Sequence, residues 1–227
     1  MRLTLGNKNY SSWSVRPYFF VRQAGIPCEE RVMPLDEPGF GDAVAKASPS
    51  SRVPFLELDD GTVVWDSLAI GLTLGELFPE SHAFPETPRL RRLAWSACAE
   101  MHAGFADMRR VLTCNERRRY AKDQWRRVAG GPENEGLVLA DVRRIETLFA
   151  TLLNVSGGPF LCGAFGYVDA YFVPVISRFR TYDIDITPTT EAYAGQLEAL
   201  PTHAAWRAEA AAEPNVIEKY EYPLERR

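Results

Sequence analysis

The sequence predicts an α/β domain of order β-α-β-α-β-β-α followed by an all-helical domain. Three observations carry this. Short strand-like runs alternate with helix-like runs over the first 80 residues. Pro79, Pro85 and Pro88 then punctuate a short stretch that suits neither element. Beyond them apolar residues recur at three- and four-residue steps. The implied plan is a first domain at residues 1–80, a linker at 81–89 and a helical domain at 90–227.

Each element follows from its residues. "RLTLGN" reads as a short strand. Residues 14–24 place Val15, Tyr18, Phe19 and Val21 on one helical face that stops at Gly25, a C-terminal helix signal. "CEERVMPL" alternates as a strand, and residues 39–47 form a short helix. "VPFLELDDGTVVW" supplies two strands joined at Asp60-Gly61, a pair in which both residues tolerate positive φ. "DSLAIGLTLGELF" is the next helix. Leu90 to Leu112 then reads as one long amphipathic helix, Leu137–Leu153 as a second, and Val168–Phe179 as a third, apolar nearly all round and so expected at its domain's centre. Pro174 should kink it. "TPTTEAYAGQLEAL" and "PTHAAWRAEAAAEP" open with Pro/Thr signals and make two more.

With 227 residues, 46% of them apolar, the chain has enough material for a sizeable core. No apolar run approaches the roughly 20 residues that cross a bilayer, and the N-terminus lacks a signal-peptide pattern, so the expectation is a cytoplasmic protein with no membrane partner. Cys28, Cys98, Cys114 and Cys162 are scattered and read as reduced thiols; His82, His102 and His203 are equally far apart, so no metal site is expected. Residues 89–127 carry 11 Lys/Arg against 4 Asp/Glu, with Arg117, Arg118 and Arg119 consecutive. A solvated helix face ranks first for this run, attraction of an anionic small substrate second, and nucleic acid a distant third.

Three short motifs fall at element junctions. "SSWS", residues 11–14, lies between the first strand and first helix; "SRVP", residues 51–54, precedes the third strand; "DS", residues 66 and 67, opens the third helix. Serine and aspartate at helix starts are common caps. The same helix ends favour anions, so a thiolate beside Ser11 or a carboxylate beside Ser67 is the functional reading.

The order of elements and these motifs together resemble the cytosolic glutathione transferase family, whose first domain is thioredoxin-like. The resemblance spans essentially the whole chain and is closest to bacterial, serine-type members near the zeta and omega classes. It implies that Ser11 activates the thiol of glutathione, with Ser12 and the N–H groups of Ser12 to Ser14 as supporting donors. It implies a cis bond before Pro54, leaving the backbone of Val53 to pair with the cysteinyl part of glutathione. Ser67 would hold the γ-glutamyl carboxylate and Asp66 would lie near the α-amino group. Arg52 and Lys46 are the candidates for the glycyl carboxylate. The second-substrate pocket is expected from Tyr10, Trp13, His102, Phe105 and Arg109. In "FGYVDAYFVPVI", Asp169 matches a structural aspartate that bonds loop N–H groups, while Gly166 stands where the family has Ser or Thr.

The implied activity is that of a glutathione transferase, with glutathione as co-substrate, no metal, and a detoxification role. Glutathione-dependent isomerisation of a maleyl diacid and a non-catalytic glutathione-binding module are the alternatives. The resemblance also implies a homodimer; the tail "NVIEKYEYPLERR" either covers the site or is solvated.

Overall fold

A computed structural model describes residues 1–227. Strands β1 (Arg2–Leu5), β2 (Glu29–Val32), β3 (Phe55–Glu57) and β4 (Val63–Val64) form one sheet in the order β2-β1-β3-β4. Helix α1 (Ser12–Gln23) carries the chain from β1 to its parallel neighbour β2, with Arg2 opposite Glu29. β3 then runs antiparallel to β1, pairing Leu3 with Leu56, and β4 antiparallel to β3. Helix α2 (Phe40–Ala47) seats Val44 against Met33 and Phe55 in a small separate cluster, and α3 (Ser67–Leu77) follows β4. The fold is thus a thioredoxin-like βαβαββα unit followed by a helical domain.

The hairpin differs in detail from expectation. Gly61 has φ +86°, but Asp60 does not enter the left-handed region; its carboxylate instead accepts from the Thr62 N–H at 2.8 Å. Acting as a side-chain acceptor, Asp60 closes the turn locally and leaves the positive φ to glycine alone.

The expected helix from Leu90 to Leu112 is two helices, α4 (Pro88–Ala103) and α5 (Ala106–Val111). Gly104 closes α4 by donating to Glu100 O at 2.8 Å, and Phe105 takes φ +57°, so the apolar period continues across a break. The gain is burial: Met101, Phe105 and Met108 all enter the main core. Periodicity reports which side is buried, and it survived a change of axis that it cannot report.

A four-residue turn of helix, α6 (Arg126–Ala129), precedes α7 (Pro132–Ser156), which is longer than expected at both ends. Helix α8 (Tyr167–Thr181) is the central element: every residue but Arg180 is buried, and α1 packs along it. It runs through Pro174 without interruption. Asp169 accepts from the N–H groups of Leu161 (3.0 Å) and Gly166 (2.9 Å) and from the Tyr193 hydroxyl (3.1 Å), while burial pushes its pKa up to about 7. Gly166 is explained by space, since a Cβ there would sit 3.1 Å from Ala83 O. Helices α9 (Pro188–Glu198) and α10 (Pro201–Ala212) complete the bundle. No helix is long and apolar enough to cross a membrane.

The arginine run departs from expectation. Arg117 to Arg119 lie on an irregular segment rather than on a helix face. Arg117 donates to the carbonyls of Glu213 and Asn215 at 2.7 Å each, and Arg118 pairs with Glu221. They strap the C-terminal tail across the helical domain, where Ile217 and Leu224 are buried.

Candidate active site

The three motifs converge on one cleft between the sheet domain and helices α4, α5 and α8. It has two lobes of roughly 330 and 500 Å³, which share Trp13, Arg52, Val53 and Arg109. Ser11, Ser12 and Tyr10 face the first lobe; Pro54, Asp66, Ser67 and His102 face the second.

Ser11 is the N-cap of α1, yet its side chain makes no cap bond. Its hydroxyl donates to Ser14 Oγ at 2.8 Å, and Ser14 Oγ also accepts from the Gly6 N–H at 2.9 Å. Ser12 is placed differently: its Oγ accepts from the Arg178 guanidinium at 3.1 Å, which leaves the Ser12 proton free for the cleft. Arg178 is buried, donates also to Leu112 O (2.7 Å) and Pro174 O (3.0 Å), and has no carboxylate in ion-pair range. A buried, uncompensated cation bound to a hydroxyl favours a nearby anion.

Arg16 strengthens this field from behind. Its guanidinium stacks 3.8 Å from the Trp13 ring centroid and 4.5 Å from that of Tyr171, and its Nε donates to Tyr171 O at 2.9 Å. Both terminal nitrogens lack a partner, and burial, with help from Arg178 and Arg109, pushes its pKa down to about 10. Arg109 lies 5.1 Å from the Trp13 ring, and burial and Arg178 lower its pKa as well. Lining the first lobe beside Arg178, Cys114 is a buried thiol whose pKa burial raises.

The Val53–Pro54 bond is cis, and neither the N–H nor the C=O of Val53 is paired within the protein. Asp66 caps α3 by accepting from the Leu68 N–H at 3.2 Å. Ser67, fully buried, hydrogen-bonds Tyr171 across the domain boundary at 3.2 Å.

Two expected site residues lie elsewhere. Lys46 is exposed on α2 and lines neither lobe, and Phe105 is a core residue whose carbonyl accepts from Arg109 Nε at 3.3 Å. Tyr10 lines the cleft, but its hydroxyl is engaged within the protein: it donates to Glu221 at 2.6 Å and accepts from Arg117 at 2.6 Å. Arg178, Thr113, Cys114 and Tyr220 line the first lobe without a sequence signal that singled them out. Arg178 sat within the anticipated buried helix, where a charged residue amid apolar neighbours was the available clue.

Residues 10–77 match the family model described as glutathione S-transferase, N-terminal domain. No curated protein matches the chain by sequence. Among solved structures, the holo form of maleyl pyruvate isomerase, a bacterial zeta-class glutathione S-transferase, superposes with a TM-score of 0.70 at 22% identity, covering 96% of this chain and 100% of that one. A glutathione transferase from Methylococcus capsulatus str. Bath gives 0.68 at 22% identity, covering 93% and 99%. A glutathione transferase homologue from Burkholderia gl BGR1 with bound glutathione gives 0.69 at 17%, covering 93% and 98%.

Proposed function

We propose, from the premise that this chain carries a glutathione S-transferase N-terminal domain within that family's two-domain fold, that it is a glutathione transferase. It joins the thiol of glutathione to a small electrophile. The observation that carries this reading is the Arg178–Ser12 contact at the floor of a cleft that also presents the unpaired backbone of Val53.

Glutathione lies along the cleft. Its cysteinyl backbone pairs with Val53 N–H and C=O as an added strand. Its γ-glutamyl carboxylate meets Ser67 at the start of α3, and Asp66 faces the amine. Arg52 serves the glycyl carboxylate. The thiol then sits at the start of α1, where Ser12 donates to the sulfur while Arg178 holds the serine oxygen, and Ser11 supports the turn through Ser14. This arrangement favours thiolate over thiol. The thiolate attacks the electrophilic carbon, an S–C bond forms, and the leaving group departs with its electron pair. Domain bounds of 1–80 and 90–227 about a linker, a homodimer, a cytoplasmic setting and a detoxification role complete the reading. Leu72 and Trp95, both exposed and lining one surface depression, support the dimer as an apolar feature suited to a second copy.

A second reading, glutathione-dependent isomerisation of a maleyl diacid, is favoured by Arg109. Its terminal nitrogens have no protein partner and it faces the cleft from the helical side, suited to an acidic second substrate. Turnover assays with an aryl halide and a maleyl diacid separate the two. Conjugation is expected with the first. Glutathione binding without turnover of either compound would leave a binding module and contradict the enzyme.

A further inference from the structure

A chain of hydrogen bonds crosses the second lobe from one domain to the other. The Asp66 carboxylate lies 3.2 Å from His102 Nε2, His102 Nδ1 lies 3.0 Å from the Tyr171 hydroxyl, and that hydroxyl lies 3.2 Å from Ser67 Oγ. The order is carboxylate, imidazole, phenol, serine. Asp66, His102 and Ser67 line the lobe, and Tyr171 connects them from α8.

The direction of each bond is fixed by what its members can do. A carboxylate only accepts, so His102 Nε2 carries a proton in both charge states. In the neutral ring Nδ1 is then an acceptor, and the Tyr171 O–H points at it. Tyr171 oxygen is left to accept from Ser67, whose only proton is thereby used. Ser67 then offers lone pairs to the cleft. When the ring is protonated, Nδ1–H donates to Tyr171, the phenol proton turns to Ser67 Oγ, and the Ser67 proton is released toward the cleft. Imidazole is the side chain that changes charge between about pH 5 and 8.

We infer that His102 is a positioning residue that sets, through Tyr171, whether Ser67 donates or accepts toward the γ-glutamyl group of glutathione. This rests on the donor-site reading given above. The protonated relay suits a carboxylate and the neutral relay opposes it, so carboxylate binding and His102 protonation favour one another.

The charged and polar groups that face the ring come from both domains: Asp66 from the start of α3, Arg52 from the loop before β3, Arg109 from α5 and Tyr171 from α8, with Arg16 of α1 stacked on Trp13 and Tyr171 behind them. Trp13, with its ring centroid 5.3 Å from that of His102, packs against the imidazole.

The test is calorimetric titration with S-methylglutathione, which has the carboxylates but no thiol proton to lose. Titrations run in phosphate and in Tris, whose ionisation enthalpies differ, read the protons exchanged. Net proton uptake near neutral pH is expected, with Kd rising about fivefold or more between pH 6 and pH 8. Tyr171→Phe keeps the ring and cuts the relay, and His102→Gln removes the titrating group; both should abolish the uptake. Binding by the wild type without proton uptake overturns the relay, as does uptake that persists in Tyr171→Phe. No binding of S-methylglutathione or of glutathione at millimolar concentration overturns the donor site itself, and the relay with it.

Discussion

Two adjacent serines with different partners separate the roles that the sequence could only place together. Ser11 spends its proton on Ser14, while Ser12 accepts from Arg178 and keeps its own. Ser12→Ala should therefore raise the apparent pKa of the bound thiol by about one unit, seen as an alkaline shift in the pH dependence of kcat/KM for an aryl halide. Ser11→Ala should shift it less. The sequence reading placed Ser11 first because the family motif aligns there. Arg178 escaped it because a residue 166 positions from Ser12 is joined to it only by folding. Arg52, Val53, Pro54, Asp66 and Ser67 were legible because the cleft takes them from short motifs at element junctions, where local sequence and local structure coincide. Lys46 was not excluded by sequence, since its distance from the cleft depends on how α2 sits on the sheet.

Elements are held by a few crowded positions. Gly71 on α3 has no room for a side chain: a Cβ there would lie 2.1 to 2.5 Å from Tyr167 ring atoms. That ring packs edge-on against Phe20 at 5.3 Å, and its hydroxyl donates to Ser67 O. Gly71→Ala should cost about 3 kcal/mol in urea unfolding and weaken glutathione binding through the displaced start of α3. Asp169→Ala would leave the Leu161 and Gly166 N–H groups and the Tyr193 hydroxyl without their acceptor. A loss of at least about 3 kcal/mol is expected in the same measurement. Such elements were legible from periodicity and caps. The break between α4 and α5 was not, because Gly104 in a helical pattern is usually tolerated and only the core beneath rewards the turn at Phe105.

At the scale of the whole molecule, the tail is part of the architecture. Glu221 accepts from Tyr10 at 2.6 Å and from Asn115 at 2.9 Å and pairs with Arg118, and Tyr220 beside it lines the first lobe. Glu221→Ala should destabilise by about 2 kcal/mol and speed limited proteolysis after Glu213, with the KM for the second substrate rising as the wall loosens. The two-domain plan was legible because alternation gives way to helical periodicity near Pro79. The strap was not, because the arginines that hold the tail and the tail itself are separated by nearly the whole helical domain. The most direct measurement of the central claim is calorimetric titration of the wild-type protein with glutathione. One site per chain with a Kd at or below millimolar, weakened at least about tenfold by Ser67→Ala, is predicted. No heat of binding at millimolar glutathione would contradict the cleft as a glutathione site.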